Sequence, residues 1–204
     1  MIQDIIKDFL ILWAVVDPIG SIPVFLVATH GYSATAKRRI AGRATLTSAG
    51  ILLFFIVVGQ VLLEGLSIPL PSFQVAGGIV LFLFALSMVF AENKPDNAPE
   101  VTDGHDPAIF PIAVPNIAGP GSMMAVVVLT DNSRYAISEQ ALTAAVLLLI
   151  LLITFILMLT AGAIQKVIGK SGTSVVSRVM GLILAAMAVE IVLSGIREYF
   201  HIGM

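Results

Sequence analysis

Apolar residues run in windows long enough to cross a bilayer, punctuated by short polar breaks. A helix needs about 20 apolar residues to cross ~30 Å of hydrocarbon. Between charges, six windows meet this length: Phe9–Ala28, Ala44–Leu63, Leu70–Ala91, Ile109–Thr130, Gln140–Gln165 and Val175–Tyr199. Four of them contain no Asp, Glu, Lys or Arg. The first carries Asp17, and the sixth carries Arg178, Glu190, Arg197 and Glu198. The pattern predicts an all-α polytopic membrane protein with six transmembrane helices. The longest polar stretch, Glu92 to Pro107, is rich in Pro, Asp and Asn and reads as a flexible linker. It separates a first three-helix unit, 1–91, from a second, 108–204. No secretory signal peptide is expected, because Met1–Asp8 holds two aspartates and one lysine and no small-residue cleavage site follows the first span.

Composition agrees. Of 204 residues, 58% are hydrophobic and 12% charged, against roughly 45–50% and about 25% in soluble domains. Mean hydropathy is +1.01. A net charge of −2 gives no reason to expect nucleic-acid binding. The chain has no cysteine, which excludes disulfides, thiolate metal sites and thiol-redox chemistry.

The basic residues predict orientation. Lys37, Arg38, Arg39, Arg43, Lys94, Lys166, Lys170 and Arg178 follow spans one, three and five, whereas Lys7, Arg134 and Arg197 lie on the opposite side. This bias places both termini outside. Tyr32, Tyr135 and Tyr199 fall at span ends, where amphipathic rings belong.

Shifted by 99 positions, Ala14–Ser21 overlays Ala113–Pro120, with Asp17 on Asn116 and Gly20 on Gly119. The third spans overlay at an offset of 103, with Gly78-Ile79-Val80-Leu81 on Gly181-Leu182-Ile183-Leu184. Three spans per unit is an odd number, so the second unit enters from the other side. The expectation is two inverted three-helix repeats with the first helix of each broken mid-membrane, a plan of secondary transporters.

Both overlaid segments combine proline and glycine. Proline deletes a backbone donor and clashes with the preceding turn, and glycine lets other groups approach the backbone. In the first, Asp17, Pro18, Gly20, Ser21 and Pro23 are the candidate binding residues, with Asp17-Pro18 able to open a half-helix. In the second they are Pro115, Asn116, Gly119, Pro120, Gly121 and Ser122, with the restart after Asn116 or Gly119. Each restart leaves free amides and a positive helix end suited to a carboxylate, while unwound carbonyls suit a cation or ammonium. The alternative is that both segments are packing kinks. An ionised Asp at a helix centre costs roughly 2.5–3.5 kcal/mol on insertion scales, so Asp17 either serves charge or is held as a capping residue.

Other features read more plainly. Glu190 is expected to be outward-reaching, paired or interfacial. Ala41-Thr45-Ala49 and Gly181-Ala185 read as close-packing faces. His30, His105 and His201 stand at no ligand spacing from one another, and Asp103, His105 and Asp106 cluster in a polar linker; no metal is assigned. H-E-x-x-H, G-x-S-x-G and Walker-type motifs are absent, so no enzyme activity is expected and transport would be secondary or passive.

The motifs resemble those of the MarC family of bacterial inner-membrane proteins, which includes small neutral amino acid transporters. Asp17-Pro18-Ile19-Gly20-Ser21-Ile22-Pro23-Val24-Phe25 is similar to the family's D-P-x-G-x-x-P-x-F. Phe110-Pro111-Ile112-Ala113-Val114-Pro115, followed by Ala118-Gly119-Pro120-Gly121, is similar to its P-x-A-x-P…A-G-P-G run. Gly77-Gly78 and Met180-Gly181-Leu182 also fit, whereas Asn116 stands where the family pattern suggests an apolar residue. The resemblance implies a six-span inner-membrane protein that moves neutral amino acids of glycine or alanine type, coupled to Na⁺ or H⁺. The expected partners are a small-molecule solute and the lipid bilayer, with a homo-oligomer as a further candidate. No cofactor is expected beyond Na⁺ as a candidate coupling ion. Export of related metabolites, or a non-transporting assembly or regulatory role, are the competing readings.

Overall fold

The computed structural model describes residues 2–90 and 106–201. The described chain is helical throughout, with no strand. α1 (Ile2–Val16) and α2 (Ser21–Ala28) form the first span, broken at Asp17–Gly20. α3 (Ala34–Gly65) and α4 (Leu70–Val89) form the second and third. An interrupted helical segment, Ala108–Ile117, with extended backbone at Phe110 and Val114, meets α5 (Pro120–Leu129) at a bend of 52°. α6 (Ile137–Tyr199) contains the last two spans, Ile137–Val167 and Arg178–Tyr199. Among the described residues five helices are thus long and apolar enough to cross a membrane, or six if the bent pair counts as one span. Most of the expected linker 92–107, including Lys94, Asp103 and His105, falls outside the described residues.

Two connections differ from the sequence pattern. The basic residues expected in a loop after span one lie on the first turns of α3, because Ser33 caps that helix early by accepting from the Ala36 amide at 3.3 Å. The expected loop between spans five and six is instead a single left-handed residue, Gly169, at φ 72°. Glycine carries no Cβ penalty in that region, so the helix turns there without unravelling.

The broken spans are inside and the intact ones outside. In the apolar window of the first span 56% of residues are buried, against 22% in α3 and 28% in α4. Irregular backbone at membrane depth is tolerated only where protein or a cavity covers it. α4 runs antiparallel to the end of α6 at backbone contact distance. A Cβ on Gly78 would lie 3.1 Å from the Ala188 carbonyl oxygen, one on Gly181 2.9 Å from that of Ala85, and one on Gly195 3.0 Å from that of Pro71. Small residues permit this approach, which drives helix association in lipid.

Polar clusters tie each end of the bundle. At one end Asp131, buried, accepts from Ser133 N and Oγ at 2.8 Å and from Gln60 Nε2 at 3.3 Å, and pairs with Arg134. Arg134 also pairs with Glu198. At the other end Arg43 of α3 pairs with Asp106. Glu190 is exposed and makes no ion pair among the described residues.

Candidate functional site

Asp17 serves both helices that flank the first break. Its backbone is left-handed at φ 47°, its N–H donates to Trp13 O at 3.1 Å, and its carbonyl accepts from the Ser21 amide at 3.0 Å. The carboxylate Oδ1 accepts from the Gly20 amide at 2.9 Å. A side-chain oxygen bonded to the amide three residues on is the capping pattern. Regular helix resumes only at Ser21, one turn later than the Asp17-Pro18 restart in the sequence reading, with Pro18–Gly20 as a turn. Asp17 is 3% exposed. Pro18, Gly20 and Ser21 are buried and Pro23 half-buried in the first turn of α2.

The second break is built differently. Phe110 and Val114, each before a proline, are extended at φ −126° and −123°, as the pre-proline position favours. Asn116 remains within the interrupted segment, before the bend. Gly119, extended at φ −84°, ψ 171°, precedes Pro120 at the first position of α5. Among the described residues no side chain caps this helix, and because Pro120 has no N–H the uncapped first-turn amides are those of Gly121 and Ser122. Ser122 Oγ donates back to the Ile117 and Gly119 carbonyls at 2.8 and 3.0 Å.

The two breaks meet. Asn116 Nδ2 donates to Ser21 Oγ at 2.9 Å, and Ser21 Oγ donates to the Asp17 carbonyl at 3.0 Å. All three residues are buried. A cavity of about 250 Å³ lies beside this junction. Pro115, Asn116, Gly119, Pro120, Gly121 and Ser122 form one wall, and Val15 with Val80, Leu81, Leu83 and Phe84 of α4 contributes the other. Asp17, Pro18, Gly20, Ser21 and Pro23 do not line it. A second, more open depression of about 270 Å³, between Pro71–Val75 and Ile196–Phe200, touches neither break.

Several residues stand out only in three dimensions. Thr29 and Thr130 end α2 and α5 in the same manner, each Oγ1 donating four residues back, to Phe25 O at 2.7 Å and Val126 O at 2.6 Å. These threonines, like Ser21 and Ser122, are 101 positions apart. The offset of 99 before the breaks therefore becomes 101 after them, a signal present in the sequence as Ser-x₇-Thr in both units. Ser48, on the buried face of α3, has a fully buried hydroxyl with no hydrogen-bond partner among the described residues. Among the described residues no group of three or more His, Cys, Asp or Glu could hold a metal ion.

Relatives place the whole chain. Residues 2–200 match the family described as MarC family integral membrane protein. The chain belongs to the MarC family. It is 32% identical over 200 residues to the UPF0056 membrane protein MJ1677 of Methanocaldococcus jannaschii, covering 96% of this chain and 97% of that one. Identity to the UPF0056 membrane protein YvbG of Bacillus subtilis is 31% over 208 residues, with 99% and 98% coverage. For the UPF0056 inner membrane protein YhgN of Escherichia coli it is 30% over 197 residues, with 97% and 98% coverage. No solved structure matches. Membership and several apolar spans make this a multi-pass membrane protein.

Proposed function

We propose that this MarC-family chain is a secondary transporter of small neutral solutes, of which glycine and alanine are the leading candidates, coupled to Na⁺ or H⁺. The observation that carries the reading is the junction of the two broken spans, where Asn116 bonds Ser21 beside an uncapped helix start and a cavity. A kink made only for packing gives no reason for two interrupted helices to meet by a buried side-chain bond beside a cavity that one of them lines. The cavity volume is about that of eight liquid waters, below the usual range for drug-sized ligands. First-turn amides of α5 suit a carboxylate, and the Asn116 carbonyl oxygen suits an ammonium.

The inverted-repeat architecture belongs to this proposal. Gly78 lies on the Ala188 carbonyl and Gly181 on the Ala85 carbonyl. The 103 offset that carries Gly78 to Gly181 also carries Ala85 to Ala188. Contacts that exchange in this way support the reading, since a two-fold axis relating the third spans of the two units would produce them.

The functional test is uptake of a labelled amino-acid panel by proteoliposomes containing the purified protein. Flux of glycine or alanine is expected; a folded protein that moves no member of the panel overturns the reading. Orientation is tested on the same cysteine-free background. With both termini outside, a cysteine at Ser133 should react with an impermeant thiol reagent in intact cells, and one at Arg38 should be shielded. The opposite result would reverse the orientation.

A further inference from the structure

The cavity beside the breaks has two chemically distinct ends. Its polar lining residues, Asn116 and Ser122, both come from the second break. Its bulk comes from α4 and Val15, and among the described residues no charged side chain lines it. A solute held at the polar end would direct its remaining atoms toward α4. Leu81 is the inner part of that wall, 3% exposed and lying over Gly121. A Cβ on Gly121 would sit 2.7 Å from Leu81 Cδ1 and 3.2 Å from its Cβ and Cγ.

α4 has little freedom to shift in response to a change at this position. On one side a Cβ at Gly77 would lie 2.7 Å from Met124 of α5, and on the other Gly78 is pressed against α6. Removed or added side-chain volume at position 81 therefore becomes cavity volume rather than helix movement, as incomplete relaxation around core truncations leads one to expect. Phe84, half-buried three residues further along, lines the same wall.

Building on the transport reading, we propose that Leu81, with Phe84, forms the side-chain pocket of the solute site and sets the largest neutral amino acid that it admits. The apolar wall offers no counter-charge, so charged side chains are excluded and aliphatic size is what is measured. A methylene too many or too few in an apolar pocket changes discrimination by roughly 10–200-fold.

The experiment is competition against labelled alanine uptake in proteoliposomes, with unlabelled glycine, alanine, leucine and phenylalanine. Leu81→Ala should improve competition by leucine relative to glycine by about tenfold or more. Leu81→Phe should shift the ratio of alanine to glycine the other way. Phe84→Ala, at a less buried position, should move selectivity in the same direction as Leu81→Ala and covers the case of an unfolded Leu81 variant. Folded variants that change uptake of all four solutes equally, with unaltered ratios, overturn the assignment while leaving transport intact. A native protein that moves none of the four overturns the transport reading and the pocket with it.

Discussion

Alanine at Gly119 is expected to abolish function in a protein that still inserts into the membrane, and alanine at Gly20 to impair it strongly. Neither site has room for a methyl group. A Cβ on Gly119 would overlap the Pro115 carbonyl oxygen, and one on Gly20 would overlap the Asp17 carboxylate. The two obstacles differ in kind. Pro115 O is backbone and cannot turn aside, so the second break itself must open. The Asp17 side chain can rotate, but only by giving up its bond to the Gly20 amide. Overpacking of this sort costs roughly 1–3 kcal/mol, with Gly119→Ala toward the upper end. Gly121→Ala should be the mildest of the three, since its one obstacle under 3 Å is the Leu81 Cδ1, the far end of a side chain. Gly50→Ala and Gly162→Ala are the controls, as nothing lies within 4 Å of an added Cβ at either. Detergent melting temperature and flux measured together check this order. If Gly119→Ala matches Gly50→Ala in both, the close-packed break described for Pro115–Pro120 is wrong.

Asp17→Asn is expected to fold normally and to lose gradient-driven accumulation. Asparagine tolerates the left-handed backbone that this position requires. Its amide oxygen can accept the Gly20 N–H in place of the carboxylate. Replacing the charge at this depth by a neutral amide also lowers the insertion cost, so stability should hold or rise. Asp17 does not line the cavity; its link to it runs through the Ser21 hydroxyl to Asn116. A coupling ion or proton at Asp17 would therefore act on the solute through this hydrogen-bonded chain. The variant should retain slow solute exchange. Undiminished uphill accumulation would leave Asp17 as a cap only.

The breaks were legible in the sequence because their residues are costly in a helix. Proline, glycine and an aspartate within apolar runs need an explanation, and the explanation is local. The restart of α5 after Gly119 follows from Pro120, which suits a first helical position. What remained hidden depends on tertiary packing. The Ser21–Asn116 bond joins residues 95 apart, and nothing local marks that pairing. The cavity's α4 wall was invisible because Leu81 is one leucine among many in a uniformly apolar span. Its one-sidedness was hidden too: the repeat suggested equal roles for the two breaks, whereas only the second lines the cavity. Asp131 escaped notice because an aspartate in a short polar loop is unremarkable until Gln60 and Arg134 close around it.

Whether solute movement is tied to an ion gradient bears most directly on the transporter reading. Purified protein in proteoliposomes would be given labelled alanine at equal concentration on both sides, under an imposed Na⁺ gradient, a proton gradient, or neither. Accumulation is predicted under one of the two gradients, collapsing when that gradient is dissipated and absent in Asp17→Asn. Label that remains at equal concentration under both gradients, in a native protein shown to be folded, would contradict secondary transport by this chain.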